Sequence, residues 1–65
     1  MSLQDKIILA RAKMNYTQEM LAKKLNVSYV TVNRWENGIS EPTKKAVAKF
    51  YEFCKKNDLD IEQEK

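Results

Sequence analysis

The chain has 65 residues, of which 43% are hydrophobic and 32% are charged, and its formal net charge is +3. A chain of this length forms one globular domain and buries only about 60% of the surface that its unfolded form exposes, so its core must be compact. The longest apolar run, from Ile7 to Ala10, is far too short to cross a bilayer, and no basic-then-apolar leader opens the chain.

Two residue types on which many catalytic and metal sites depend are absent or rare. There is no histidine, and Cys54 is the one cysteine. A serine or cysteine nucleophile would lack an imidazole base, and one thiol with scattered carboxylates is too little for a zinc site. Lysine–serine and carboxylate-pair chemistries stay open, but so small a domain leaves little room for a substrate pocket. We predict a protein that is not an enzyme and needs no cofactor, metal or small-molecule ligand.

The cysteine count and the charge pattern indicate where the protein works and what it binds. A lone cysteine suits a reducing compartment, so we predict a cytoplasmic protein. Residues 1–57 carry eleven basic and five acidic side chains, a net charge of +6, whereas residues 58–65 have a net charge of −3. We therefore predict a basic domain over 1–57 with a short acidic tail over 58–65. A basic domain favours a polyanionic partner, although a surface charged only for solubility would have the same composition.

Apolar residues at helical spacing predict the first helix, over about residues 3–13. They are Leu3, Ile7, Ala10 and Met14. A second helix follows, for which Thr17 is a suitable N-cap. We expect it to end at Asn26, because asparagine is, after glycine, the residue that most readily takes the left-handed conformation of a sharp turn.

Two residues beyond Asn26, Ser28 can cap a third helix, which Gly38 is placed to end. A helix, a turn of three or four residues and a second helix is the spacing of a helix-turn-helix unit. The sequence therefore predicts this unit over about residues 17–36.

A fourth helix is predicted over about residues 43–56, because Pro42 cannot continue a helix and Thr43 can cap the next one. Its apolar stripe consists of Val47, Phe50, Tyr51 and Cys54. Phe53 lies off this stripe, so it could belong either to the core or to a dimer face. We expect Leu59 and Ile61 to dock as a short last turn. The sequence therefore predicts an all-α fold, in which four to five helices form one compact domain.

The third helix has two opposed faces when it is projected at about 100° per residue. Val32 and Trp35 share one face and are expected in the core. The other face mixes hydrogen-bonding and apolar side chains, from Tyr29, Val30, Asn33 and Arg34. In the major groove of DNA, asparagine can bond adenine, arginine can bond guanine, and an apolar side chain can pack on the thymine methyl. We predict that the helix over 28–37 reads the major groove of double-stranded DNA through these four residues.

The segment TQEMLAKKLNVSYVTVNRWENG, residues 17–38, resembles the phage repressor and Cro type of helix-turn-helix, the XRE family. The matching positions are Thr17, Gln18, Leu21, Ala22, Leu25, Val27, Ser28, Thr31, Val32, the run from Trp35 to Gly38, and Pro42. The resemblance covers about residues 3–56 and implies a lambda-repressor-like fold. It also implies a homodimeric, repressor-like transcriptional regulator. The family's usual turn glycine is replaced by Asn26, and its fifth helix is poorly matched by NDLDIEQEK.

The resemblance implies roles for individual residues. The family's base-reading positions match Tyr29, Val30, Asn33 and Arg34. Contacts with the DNA backbone are implied for Gln18, Ser28, Asn37, Thr43, Lys44 and Lys45. Arg11 and Glu36 match an ion pair that ties the first helix to the end of the third.

Other functions fit this pattern less well. An adaptor or antitoxin-like module that reuses the fold would bind protein through Tyr29 and Val30, but Gln18, Asn33 and Arg34 would then need another explanation. A small hydrolase would lack histidine. A single-stranded RNA binder would need more aromatic side chains than the six present, most of which are committed to packing.

Overall fold

The computed structural model describes residues 1–61, and within them the chain forms four helices and no strand. In chain order they are α1 (Leu3–Met14), α2 (Gln18–Leu25), α3 (Tyr29–Glu36) and α4 (Lys44–Lys56). All four predicted helices are confirmed, and their bounds agree with the predictions to about one residue. Residues 57–61 add no fifth helix. The last four residues of the predicted acidic tail lie outside the described range.

Each helix begins at a hydroxyl that accepts a hydrogen bond from the first turn, where backbone N–H groups lack helical partners. Three of the caps, Thr17, Ser28 and Thr43, are the predicted ones. The fourth is Ser2, which caps α1 by accepting from Asp5 N–H. Local sequence therefore determines where every helix starts.

Each helix is followed, within two residues of its end, by a residue with a positive φ. These residues are Asn15 (57°), Asn26 (57°), Gly38 (70°) and Asp58 (53°). After α2, Val27 N–H donates to Ala22 C=O at 2.9 Å, and each of the other three turns contains an equivalent bond. This bond closes the last turn on carbonyls that would otherwise lack partners. The predicted stops at Asn26 and Gly38 are confirmed, whereas those at Asn15 and Asp58 were not predicted.

One buried cluster joins the four helices. It consists of Ile7, Ala10, Leu21, Ala22, Leu25, Val32, Trp35, Phe50, Phe53 and Cys54. Its largest fully buried members are Ile7, Leu21, Val32 and Phe50, one from each helix. Burying a side chain of this kind contributes about 1.5–3 kcal/mol. Within this core, α3 packs against α1 and α2, and α4 packs against α2.

Phe53 belongs to this core. Its side chain is only 8% exposed, and its ring centroid lies 6.1 Å from that of Tyr16, which sits in the connection between α1 and α2. Tyr16 extends the buried side of α4 beyond the predicted stripe, and this decides between the two alternatives for Phe53. Leu59 and Ile61 pack against the same core, without forming a helical turn.

Candidate nucleic-acid interface

The two-faced third helix is present in the structure. Val32 and Trp35 are 0% and 5% exposed, so they anchor α3 in the core. Tyr29 and Val30 are 51% and 52% exposed, and Arg34 is exposed as well. The opposite face of this helix is well packed. Large side chains that stay half-exposed on such a helix are a candidate contact surface.

Asn33, the remaining predicted base reader, is only half-buried and has hydrogen-bond partners at both ends of its carboxamide. Its Nδ2 donates to Gln18 Oε1 at 3.1 Å. Its Oδ1 accepts from Asn37 Nδ2 at 3.2 Å. The structure therefore brings together one predicted base reader and two predicted backbone contacts.

These contacts extend to a carboxylate. Gln18 Nε2 donates to Glu36 Oε1 at 3.1 Å, which makes a continuous series of Glu36, Gln18, Asn33 and Asn37. We call these four residues the amide chain. Asn37 Nδ2 also donates to the backbone carbonyl of Asn33 at 2.9 Å. The amide chain crosses between α2 and α3 and runs from the buried Glu36 to the exposed Asn37.

Arg11 holds the carboxylate end of the amide chain. Its Nε donates to Glu36 Oε2 at 2.8 Å and its Nη2 donates to Glu36 Oε1 at 2.9 Å. The side chains of Arg11 and Glu36 are 26% and 6% exposed. The hydrogen bond to Glu36 raises the pKa of Arg11, with partial burial opposing it and the charge of Glu36 adding to it. A two-point contact of this kind fixes direction as well as distance.

Gln4 is a second tie between α1 and the end of α3, and sequence reasoning missed it. Its Nε2 donates to Glu36 C=O at 2.6 Å. A Cβ on Gly38 would lie 3.2 Å from Gln4 Oε1, so the side chain passes close to the turn. The available signal was spacing: Gln4 and Arg11 are seven residues apart and share one flank of α1. Gln4 and Arg11 both form hydrogen bonds with Glu36, at the C-terminal end of α3.

The predicted backbone contacts outside the amide chain lie at helix N-termini. Ser28 and Thr43 are the N-caps of α3 and α4, and each uses a hydroxyl oxygen to accept from the backbone. Their own hydroxyl hydrogens can still be donated, and the one on Ser28 has Thr31 Oγ1 at 2.8 Å as a neighbour. Lys44 and Lys45 are exposed in the first turn of α4. A helix N-terminus carrying two lysines favours an anion.

Two further observations concern the kinds of site that the domain offers. Within residues 1–61, no helix combines the length and apolarity that a membrane crossing requires. In that same range, no group of three or more histidine, cysteine, aspartate or glutamate side chains is placed to hold a metal ion.

Comparison with known proteins agrees with this geometry. Residues 7–60 match the family described as helix-turn-helix. The chain belongs to the XRE-type helix-turn-helix family. The matched range includes α2 and α3, which form the helix-turn-helix unit, and every residue of the amide chain.

A relative gives a second measure of similarity to this helix-turn-helix domain. Over 45 residues the chain is 42% identical to the HTH-type transcriptional regulator DicA of Escherichia coli (strain K12). Those residues are 69% of this chain and 33% of DicA, so the chain spans about a third of that relative's length. No solved structure matches the chain significantly.

Proposed function

We propose that this helix-turn-helix domain binds double-stranded DNA at specific sequences and regulates transcription. The observation that carries the proposal is the division of α3, with Val32 and Trp35 buried and Tyr29, Val30 and Arg34 exposed. The buried face holds the helix rigidly while the exposed face offers a mixture of chemistry that packing does not require. A helix presented in this way fits the major groove.

In this proposal each of the four base-reading residues recognises a different chemical group of the DNA. Arg34 can donate two parallel hydrogen bonds to guanine O6 and N7, and Val30 can pack on a thymine methyl. Asn33 can bond adenine, and Tyr29 can reach a base or a phosphate. Base contacts of this kind supply sequence preference.

The phosphate contacts would supply most of the affinity. Lys44 and Lys45 place two positive charges beside the N-terminus of α4, where the helix dipole adds to their effect. Affinity from such contacts falls as salt rises, because binding releases the counterions of the DNA. We assign Gln18, Ser28, Asn37 and Thr43 to the same group.

We further propose that the domain acts in the cytoplasm as a homodimer, without catalysing a reaction. Two copies of α3 would then enter successive major grooves about 34 Å apart, on a near-palindromic operator. The regulatory role is supported by the family and by the similarity to a protein named as a transcriptional regulator.

One observation favours a protein-binding adaptor as the second candidate. Besides Tyr29 and Val30, the exposed large apolar side chains include Met20 (44%) on α2 and Ile39 (71%) in the turn after α3. An apolar surface of this composition could dock a protein. Binding of that kind would be insensitive to competitor DNA.

The deciding experiment is selection of bound sites from a random pool of DNA duplexes at moderate ionic strength. We expect enrichment of a near-palindromic sequence with half-sites one helical turn apart. A matched control is Lys55→Ala, which removes one charge at the opposite end of α4 and should leave the selected sequence unchanged. Failure of the purified protein to enrich any sequence would overturn the proposal.

A further inference from the structure

The amide chain has a direction, and the Glu36 carboxylate sets it. A carboxylate only accepts hydrogen bonds, so Gln18 must turn its Nε2 toward Glu36. Gln18 Oε1 then faces Asn33, which must in turn present Nδ2 to it. Asn33 Oδ1 is left for Asn37 Nδ2. One charge thus orients three successive carboxamides.

This direction limits what Asn33 can offer to DNA. A carboxamide has two N–H donors and an oxygen with two acceptor positions. In the amide chain, one N–H is taken by Gln18 and one acceptor position by Asn37. One donor and one acceptor remain. Adenine presents one acceptor (N7) and one donor (N6–H) in the major groove, whereas guanine presents two acceptors (N7 and O6).

We propose that Gln18 is a specificity-positioning residue, which makes Asn33 discriminate adenine from guanine by occupying one of its two N–H groups. With that N–H engaged, Asn33 can satisfy both groups of adenine but only one acceptor of guanine, and its oxygen would face the other acceptor. This inference rests on the proposed DNA-binding function. It gives Gln18 a role in base preference that is separate from any contact with phosphate.

The test measures the ratio of affinities for adenine and guanine at a single operator position. Asn33→Ala identifies that position, because the protein should lose its preference for adenine there. Gln18→Met has a similar shape, but its thioether sulfur is only a weak acceptor, so the substitution leaves both N–H groups of Asn33 without a strong acceptor in the protein. We expect Gln18→Met to lower the adenine-over-guanine ratio at that position by about tenfold. In the Asn33→Ala background, Gln18→Met should leave the ratio unchanged.

Lys44→Ala is the matched control, because it removes a candidate phosphate contact without touching the amide chain. It should weaken binding to both sequences equally. If Gln18→Met also weakens both sequences equally, Gln18 contacts only phosphate and the inference is overturned. If Asn33→Ala changes no operator position, the inference is also overturned, while the proposed function stands. If the wild-type protein selects no sequence, it is the proposed function that has failed.

A measurement on the wild-type protein covers the case in which Gln18→Met does not fold. The two side-chain amide protons of Asn33 can be followed separately by NMR. We expect one proton to stay protected from exchange with and without DNA, because it is bonded to Gln18. The other should become protected only when adenine is bound. Equal exchange rates for the two protons in the free protein would overturn the inference.

Discussion

Arg11 and Glu36 are joined by two parallel hydrogen bonds, from Nε to Oε2 at 2.8 Å and from Nη2 to Oε1 at 2.9 Å. The two residues are 25 positions apart, on α1 and α3, so the pair fixes one end of the proposed recognition helix against the rest of the fold. Glu36 also supplies the carboxylate of the amide chain. One buried charge therefore serves both the fold and the proposed interface.

Arg11→Met should destabilise the protein by about 2–3 kcal/mol, because it leaves the Glu36 carboxylate buried without its cation. The cost stays below that of a fully buried pair since the Arg11 side chain is 26% exposed. Urea denaturation measures the change in the free energy of unfolding. The control is Lys56→Met, which breaks the exposed pair of Lys56 with Glu52 and should cost less than about 0.5 kcal/mol. Equal costs for the two variants would contradict this prediction.

Asn26→Ala should lower the free energy of unfolding by about 1 kcal/mol, because alanine is strained at the φ of 57° that ends α2. Asn26→Gly should be neutral or slightly stabilising, since glycine adopts this φ without strain. Thermal unfolding should show a drop in Tm of about 4–8 °C for the alanine variant. Lys24→Ala, at an exposed helical position two residues earlier, is the control and should change Tm little. Identical Tm values for Asn26→Ala and Asn26→Gly would refute the argument from backbone strain.

The buried thiol of Cys54 should make the protein less stable at alkaline pH. Burial raises the pKa of Cys54 above its ordinary value, with a smaller opposing effect from a backbone hydrogen bond. The contribution of the buried, neutral thiol to the free energy of unfolding is fully present below the unfolded-state pKa of about 8.5. As pH rises above that value, the unfolded chain loses a proton that the folded chain keeps, so the free energy of unfolding falls.

Denaturation of the wild-type protein and of Cys54→Ala at a series of pH values measures this effect. The alanine variant loses packing at every pH, but it has no thiol to ionise. We therefore expect the stability difference between the two proteins to shrink as pH rises from about 8 to about 10. A difference that stays constant over this range would show that Cys54 makes no such contribution.

Arg34→Ala should reduce affinity for the selected operator by about 1–3 kcal/mol and relax the preference at one base position. The reason is that alanine cannot reproduce two parallel bonds to guanine. Arg34 is exposed in the free protein, so the substitution should leave stability almost unchanged. Competition binding with operators altered at single positions measures the preference. An equal loss of affinity on every sequence would remove Arg34 from the proposed base readers.

Lys44→Ala should weaken binding to all sequences alike and reduce the slope of log affinity against log salt by about one unit. The expected cause is the loss of one phosphate contact at the N-terminus of α4. Lys55→Ala removes the same charge near the other end of that helix, about 16 Å away at a rise of 1.5 Å per residue. It should leave the salt slope unchanged. Equal slopes for the two variants would place Lys44 away from the phosphates.

Much of the interface could be predicted because a short helix exposes its pattern directly. Spacing alone divided α3 into a buried side with Val32 and Trp35 and an exposed side with Tyr29 and Arg34. Spacing did not show that Asn33 is bonded at both ends of its carboxamide. One partner, Gln18, lies on α2, and the other, Asn37, follows the end of α3. Whether Gln18 comes within hydrogen-bond distance of Asn33 depends on the angle between the two helices.

The sequence by itself determined the positions of the four helices, because caps such as Thr17 and turn residues such as Asn26 act through backbone atoms only a few residues away. It also determined which side of α3 faces the core. Only the tertiary structure decided that Phe53 is buried against Tyr16, that Gln4 grips the end of α3, and that Glu36 orients a series of amides. Such contacts join residues far apart in the chain, and a hydrogen bond forms only when packing brings donor and acceptor to within about 3 Å in the right direction.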